Sequence, residues 1–151
     1  MTQPDCLICS METAGPSSRV FLDEHWAAEV APGYEVPGWF FLRARRHAEK
    51  LTGLSDAEVA GLGRHAHDLA TAVERVTGAP AVYLLSFGET FLHFHALIAA
   101  RGQDVPPARR GGALLQLLPD GRNPAAAEAL VPRVRAAYGQ ILRSREPADL
   151  G

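Results

Sequence analysis

Apolar and polar residues alternate over short stretches in the first third of the chain, then recur at helical spacing. Residues 19–23, RVFLD, and 26–31, WAAEVA, read as two short strands around a turn at Glu24 and His25. Pro32 to Gly38 is a loop rich in proline and glycine, and 39–45, WFFLRAR, a stronger strand. A helix follows. Ser55 stands at an N-cap position and Glu58, three residues on, can reach back to complete a capping box. Val59, Leu62, Ala66, Leu69, Val73 and Val76 then recur at steps of three and four, one apolar stripe on a helix of about five turns. Gly78 and Pro80 supply the stop.

Two more β runs, 81–87 and 91–99, are separated only by Gly88, Glu89 and Thr90, which predicts a hairpin. Strand side chains alternate between faces, so Phe91, His93, His95 and Leu97 point one way. Leu92, Phe94, Ala96 and Ile98, all apolar, should face the covering helices. Residues 100–123 read as a loop with a candidate strand at 113–118, ALLQLL. Asn123–Pro124 opens a last helix running to about Arg143, which Pro132 should kink or divide. Strands in hairpins with long helices imply an α+β fold, an antiparallel sheet of about five strands covered by one long helix and a C-terminal helix.

Composition narrows the class. A chain of 151 residues suits a single domain, 1–151, and 47% hydrophobic with 21% charged residues argues against disorder. A formal charge of −2 gives no general pull toward nucleic acid or an anionic membrane. Arginines cluster at 43–46 and 109–110; such clusters are ordinarily solvated surface and otherwise suit a phosphate. The N-terminus has no secretory pattern, and no apolar run approaches the roughly 20 residues of a membrane span. The only cysteines, Cys6 and Cys9, form one CxxC, so a reducing cytoplasm is the expected setting.

Two thiolates at that spacing can bind one tetrahedral ion, but a closed zinc site needs four ligands. With no further cysteine, histidines must complete it. His65 and His67 lie two apart on the expected helix and face different directions. His47, after the aromatic strand, and His93, in the β run, could converge on an N-terminal knuckle if those strands are neighbours. A thiol redox pair is the competing reading. It is weakened because this CxxC is expected to open neither a helix nor a βαβ unit, the settings that lower a thiol pKa.

Taken together, CLIC near the N-terminus, RARRH, a helix opened by LSDAE, and GETFLHFHALIAAR resemble the histidine-triad (HIT) superfamily in the same order, over residues 6–101. Residues 102–151 diverge. The resemblance implies one structural zinc held by Cys6, Cys9, His47 and His93, and a homodimer formed through a shared sheet. It further implies a nucleophilic His95 that attacks the α-phosphorus of a nucleoside phosphate ester, anhydride or phosphoramidate, forming a nucleotidyl-histidine. Glu89, Thr90 and Arg101 fall at the substrate-binding positions, with Thr90 a hydroxyl donor to the phosphoryl group.

The chain departs from that pattern at its catalytic end. Leu97 replaces the third histidine, and Glu89 stands where glutamine is usual. A carboxylate about 5 Å from a phosphate repels it by roughly 3 kcal/mol per unit charge at an effective dielectric near 20. Arg101 lies out of register with the arginine that closes the motif. Two readings therefore stand: a divergent nucleotide hydrolase or transferase, and a catalytically inactive, zinc-stabilised binding protein.

Overall fold

In the computed structural model, which describes residues 3–146, the alternating pattern condenses into one antiparallel sheet of five strands. These are β1 (Arg19–Leu22), β2 (Trp26–Glu29), β3 (Trp39–Ala44), β4 (Ala81–Leu85) and β5 (His95–Arg101), in the order β1-β2-β3-β5-β4. Asp23 shapes the first turn: its Oδ1 accepts the N–H groups of His25 and Trp26 at 2.9 and 2.7 Å. The central strand β3 is buried along its whole length, as its aromatic run demands.

Helix α2 (Asp56–Thr77) forms as its sequence dictates, with both bonds of the Ser55–Glu58 capping box in place and Gly78 ending it at φ +65°. Helix α4 (Pro124–Arg145) begins where Asn123 accepts the Ala126 N–H at 3.1 Å. Pro132 does not divide it. The proline removes one backbone bond, a cost of about 3 kcal/mol, and burial of Val131, Val134, Tyr138 and Ile141 on the same helix offsets it. Both helices cover one sheet face, packing Leu69, Val73, Val131 and Val134 on Phe40, Leu42 and Ile98.

The opposite face has its own cover, which the sequence pattern did not reveal. Helix α1 (Leu7–Ser10) and a 3-10 turn at Met11–Thr13 lay Ile8 and Met11 against Trp39 and Phe41. Residues 107–117 add two more 3-10 turns, followed by the short helix α3 (Leu118–Gly121), and bring Leu114 onto Leu97 and Ala99. The expected strand at 113–118 is therefore absent. Its leucines recur every three residues, Leu114 with Leu117 and Leu115 with Leu118, which suits a 3-10 turn rather than a pleat.

The β4–β5 connection is also longer than the hairpin expected, running from 86 to 94. Phe94 explains this: its N–H goes to Ala48 O at 2.6 Å and its carbonyl accepts from Ala44 N at 3.1 Å, outside the β4–β5 ladder. Phe94 and Ile98 still face the helices, but Leu92 is exposed. The front of the α2 stripe differs in the same way, with Val59 exposed while Leu69 and Val73 are buried. Entry into β3 depends on Gly38, at φ +87°, where a Cβ would lie 2.8 Å from that of Ala100.

Candidate metal centre and active site

Three separate segments meet at the N-terminal knuckle. Contrary to the sequence expectation, the CxxC does open a helix, the four-residue α1: Cys6 caps it, its Sγ accepting the Cys9 N–H at 3.3 Å, which turns both sulfurs the same way. His47 follows β3, and His93 closes the loop before β5. The four donor atoms of Cys6, Cys9, His47 and His93 lie within 4.8 Å of one another. Cys9 Sγ is 3.2 Å from His47 Nδ1 and 3.4 Å from His93 Nδ1, and Cys6 Sγ is 3.5 Å from His93 Nδ1. Tetrahedral zinc with ordinary Zn–S and Zn–N bonds needs S···N edges of about 3.6 Å, so the set suits zinc.

The surroundings favour the ligating forms. His93 donates its Nε2–H to Ala44 O at 2.6 Å, leaving the Nδ1 lone pair toward the sulfurs. Burial pushes the His93 pKa down to about 4, against the pull of that bond, with His47 and Arg43 adding to the fall. A neutral imidazole results. Burial also pushes the Cys9 thiol up, a shift that a bound divalent cation reverses. The two helix histidines stay apart from this cluster: His65 contacts Tyr138 and Asp23 at 2.8 and 2.7 Å, and His67 contacts Asp68 at 2.9 Å.

His95 stands at the start of β5, beside this cluster. It stacks on Phe41 with ring centroids 4.8 Å apart and meets the edge of Phe91 at 5.8 Å. Its Nδ1–H donates to His93 O at 2.7 Å, so Nε2 holds the lone pair, with no hydrogen-bond partner among the described residues. Burial lowers the pKa of His95, partly opposed by that bond. The ring separates two hollows. The larger, about 660 Å³, lies between α2 and the β4 edge and is lined by Val59, Leu62, Leu84 and Phe87. The smaller, about 90 Å³, is lined by Glu89, Thr90, Leu97, Tyr34 and Leu115.

Glu89 and Thr90 thus lie beside His95, whereas Arg101 does not. It ends the strand that His95 begins, about 20 Å away at strand rise, and its Nε is buried without a partner among the described residues. The arginines at 43–46 are not a free surface patch either. Arg43 is wholly buried, donating to both carboxylate oxygens of Glu29 at 2.9 and 2.8 Å and to Glu12 at 2.8 Å. Arg45 binds Glu12 and Arg46 binds Glu58. These arginines are spent on carboxylates. Sequence reasoning also missed Leu115 and Tyr34 at the site: Tyr34 comes from a segment read as a loop, and Leu115 from the candidate strand at 113–118 that folds instead as a 3-10 turn.

Other proteins share this architecture. A histidine triad nucleotide-binding protein from Sulfolobus tokodaii superposes with a TM-score of 0.73 at 18% identity, over 97% of this chain and all of that one. The fold is that of the histidine triad proteins. A zinc-bound histidine triad family protein from Mycobacterium smegmatis matches at 0.68 and 19% identity, over 93% of this chain and 98% of its own. A uridylyltransferase matches at 0.64 and 24% identity over 89% of this chain, which spans 45% of that longer one. By sequence alone, no family model and no curated protein matches. The likeness to the histidine-triad fold therefore rests on shape and on the tetrad. Among the described residues, no helix is long and apolar enough to cross a membrane.

Proposed function

We propose that this chain is a single HIT-like nucleotide-binding domain, a divergent hydrolase or transferase acting on nucleoside phosphate esters, anhydrides or phosphoramidates. The carrying observation is the orientation of His95, whose Nδ1–H is engaged by the His93 carbonyl while Nε2 stays unpartnered beside two hollows. Nε2 attacks the α-phosphorus, and the bond to the leaving oxygen or nitrogen breaks with its electron pair. The leaving group takes up a proton. Water then attacks the phosphorus of the nucleotidyl-histidine, releasing the nucleoside monophosphate and restoring the imidazole. The fixed carbonyl supports the positive charge that grows on the ring, and Thr90 donates to a phosphoryl oxygen.

Cys6, Cys9, His47 and His93 hold a structural zinc, which fixes the loop carrying His93 and hence the carbonyl that orients His95. The free β4 edge pairs with a second copy as a homodimer. The paired free thiols favour a cytoplasmic setting. A second reading, an inactive zinc-stabilised binding protein, is favoured by Leu97 and Glu89, which give the phosphoryl group an apolar wall and a negative charge. Incubation with adenosine phosphoramidate or a dinucleoside polyphosphate decides between them. The enzyme releases AMP and His95→Ala releases none; absence of turnover in the parent leaves the binding reading. Metal analysis should give about one zinc per chain, lost when Cys6 and Cys9 are replaced and kept in His95→Ala.

A further inference from the structure

The face of the sheet that carries His95 has its two ends oppositely equipped. At one end are His95 and Glu89, with no lysine or arginine lining the small hollow between them. At the other, Arg101 closes β5 and Arg109 and Arg110 follow it in the 3-10 segment; none of the three has a carboxylate partner among the described residues. This segment is pinned over β4 by the Gly111 N–H, which donates to Tyr83 at 2.9 Å. The proposed phosphate site and a group of arginines without carboxylate partners among the described residues thus sit on one face, too far apart to meet within one chain.

The outer edges of the sheet differ as well. Arg135 covers the β1 edge, donating to the carbonyls of Arg19 and Pro16. Among the described residues the β4 edge has no such cover, and Leu84 and Phe87 beside it are 61% and 64% exposed. Antiparallel pairing of two β4 strands about Tyr83, by a two-fold axis normal to the sheet, sets Leu85 of one copy opposite Ala81 of the other. Leu85 neighbours Leu97 and Ala81 neighbours Arg101. One copy's His95 end therefore comes level with its partner's arginine end, on the same face. The two β5 strands are then three strand spacings apart, about 14 Å, with the 109–110 segment between them. In that pairing Glu89 of one copy would come toward guanidinium groups of the other, which would give the contact charge complementarity.

We infer that the site is completed across this dimer: Arg101 and Arg110 of one copy bind the outer phosphates of a nucleoside polyphosphate whose α-phosphorus lies at the other copy's His95. This rests on the proposed role of His95 and names its substrate class, a nucleotide with an anionic rather than a cationic leaving group. The test uses mixed dimers. His95→Ala has no turnover, and Arg101→Ala or the exposed Arg110→Ala lowers kcat/KM for a dinucleoside polyphosphate about tenfold or more. Co-refolding His95→Ala with Arg101→Ala should restore about a quarter of the parental rate, because random pairing gives each mixed dimer one complete site. No restoration in a verified mixed dimer, or a monomeric parent by ultracentrifugation, overturns the inference and leaves the role of His95 standing. If the parent lacks turnover, equilibrium binding replaces rate: Arg110→Ala should weaken ATP about tenfold and spare AMP. Equal effects on both overturn the inference, and no binding of either overturns the proposed function with it.

Discussion

At the scale of single residues, Leu97 is the departure that weighs most on the proposed activity. It is 5% exposed, on the same strand face as His95 and two residues on. Its side chain can neither donate to a phosphoryl oxygen nor accept from one. Glu89 adds repulsion from the other side of the same hollow. Leu97→His with Glu89→Gln should therefore raise the rate of AMP release together, each contributing where the other is present. If the double variant is no faster than the parent, the site has been rebuilt for another ligand rather than degraded. The candidate tetrad was legible in the sequence because one CxxC calls for two further ligands, and the resemblance carried by RARRH and FLHFH singled out His47 and His93 among six histidines. The ion pairs of Arg43 were not legible, because RARR looks the same whether a carboxylate or water meets it.

At the scale of elements, the knuckle is tied to the sheet by charge as well as by its candidate metal ligands. Glu12 follows α1 and binds Arg43 and Arg45, while Glu29 on β2 binds Arg43 and Arg19. Glu29 and Arg43 are both fully buried. Removing Glu29 leaves the buried Arg43 with Glu12 alone and two of its N–H groups unpaired away from water, so Glu29→Ala should cost about 3–5 kcal/mol in urea unfolding. Replacing Glu29 and Arg43 together by leucine should recover part of that loss: Glu12 keeps Arg45, and the partly exposed Arg19 keeps its bonds to the carbonyls of Met11 and Glu12. A Glu29→Ala cost below about 1 kcal/mol, the range of an exposed pair, would show that water reaches the guanidinium. Strands and helices declared themselves through periods of two and 3.6, and the capping box marked the start of α2 to the residue. The cover on the second sheet face did not, because 3-10 turns share no such long period and their packing is set by what lies beneath.

At the scale of the whole molecule, a metal at the proposed site and protons on the carboxylates would act on the same knuckle. Binding to the folded tetrad alone stabilises the fold in proportion to the logarithm of free metal, so chelation should lower the melting temperature and added zinc restore it. Cys6→Ser with Cys9→Ser should melt at the chelated value and ignore zinc. Acid acts through the carboxylates. Burial alone would raise the pKa of Glu12, but its bonds to Arg45 and Arg43 outweigh this and hold it below its ordinary 4.5. Asp68, against Arg145, and Glu58, bonded to Ser55 and Arg46, are lowered in the same sense. The unfolded chain therefore takes up protons at a higher pH than the folded one. Stability from these groups is complete above the ordinary carboxylate range and is lost as pH falls through it toward the depressed folded values. Comparing the parent with Glu12→Gln isolates one of them. The parent's advantage in urea midpoint should hold from pH 7 to about 5 and shrink below about 4.5, as Glu12 protonates in the unfolded and then the folded chain. An advantage that persists unchanged to pH 3 would mean that neutral hydrogen bonds, not charge, secure the knuckle to the sheet.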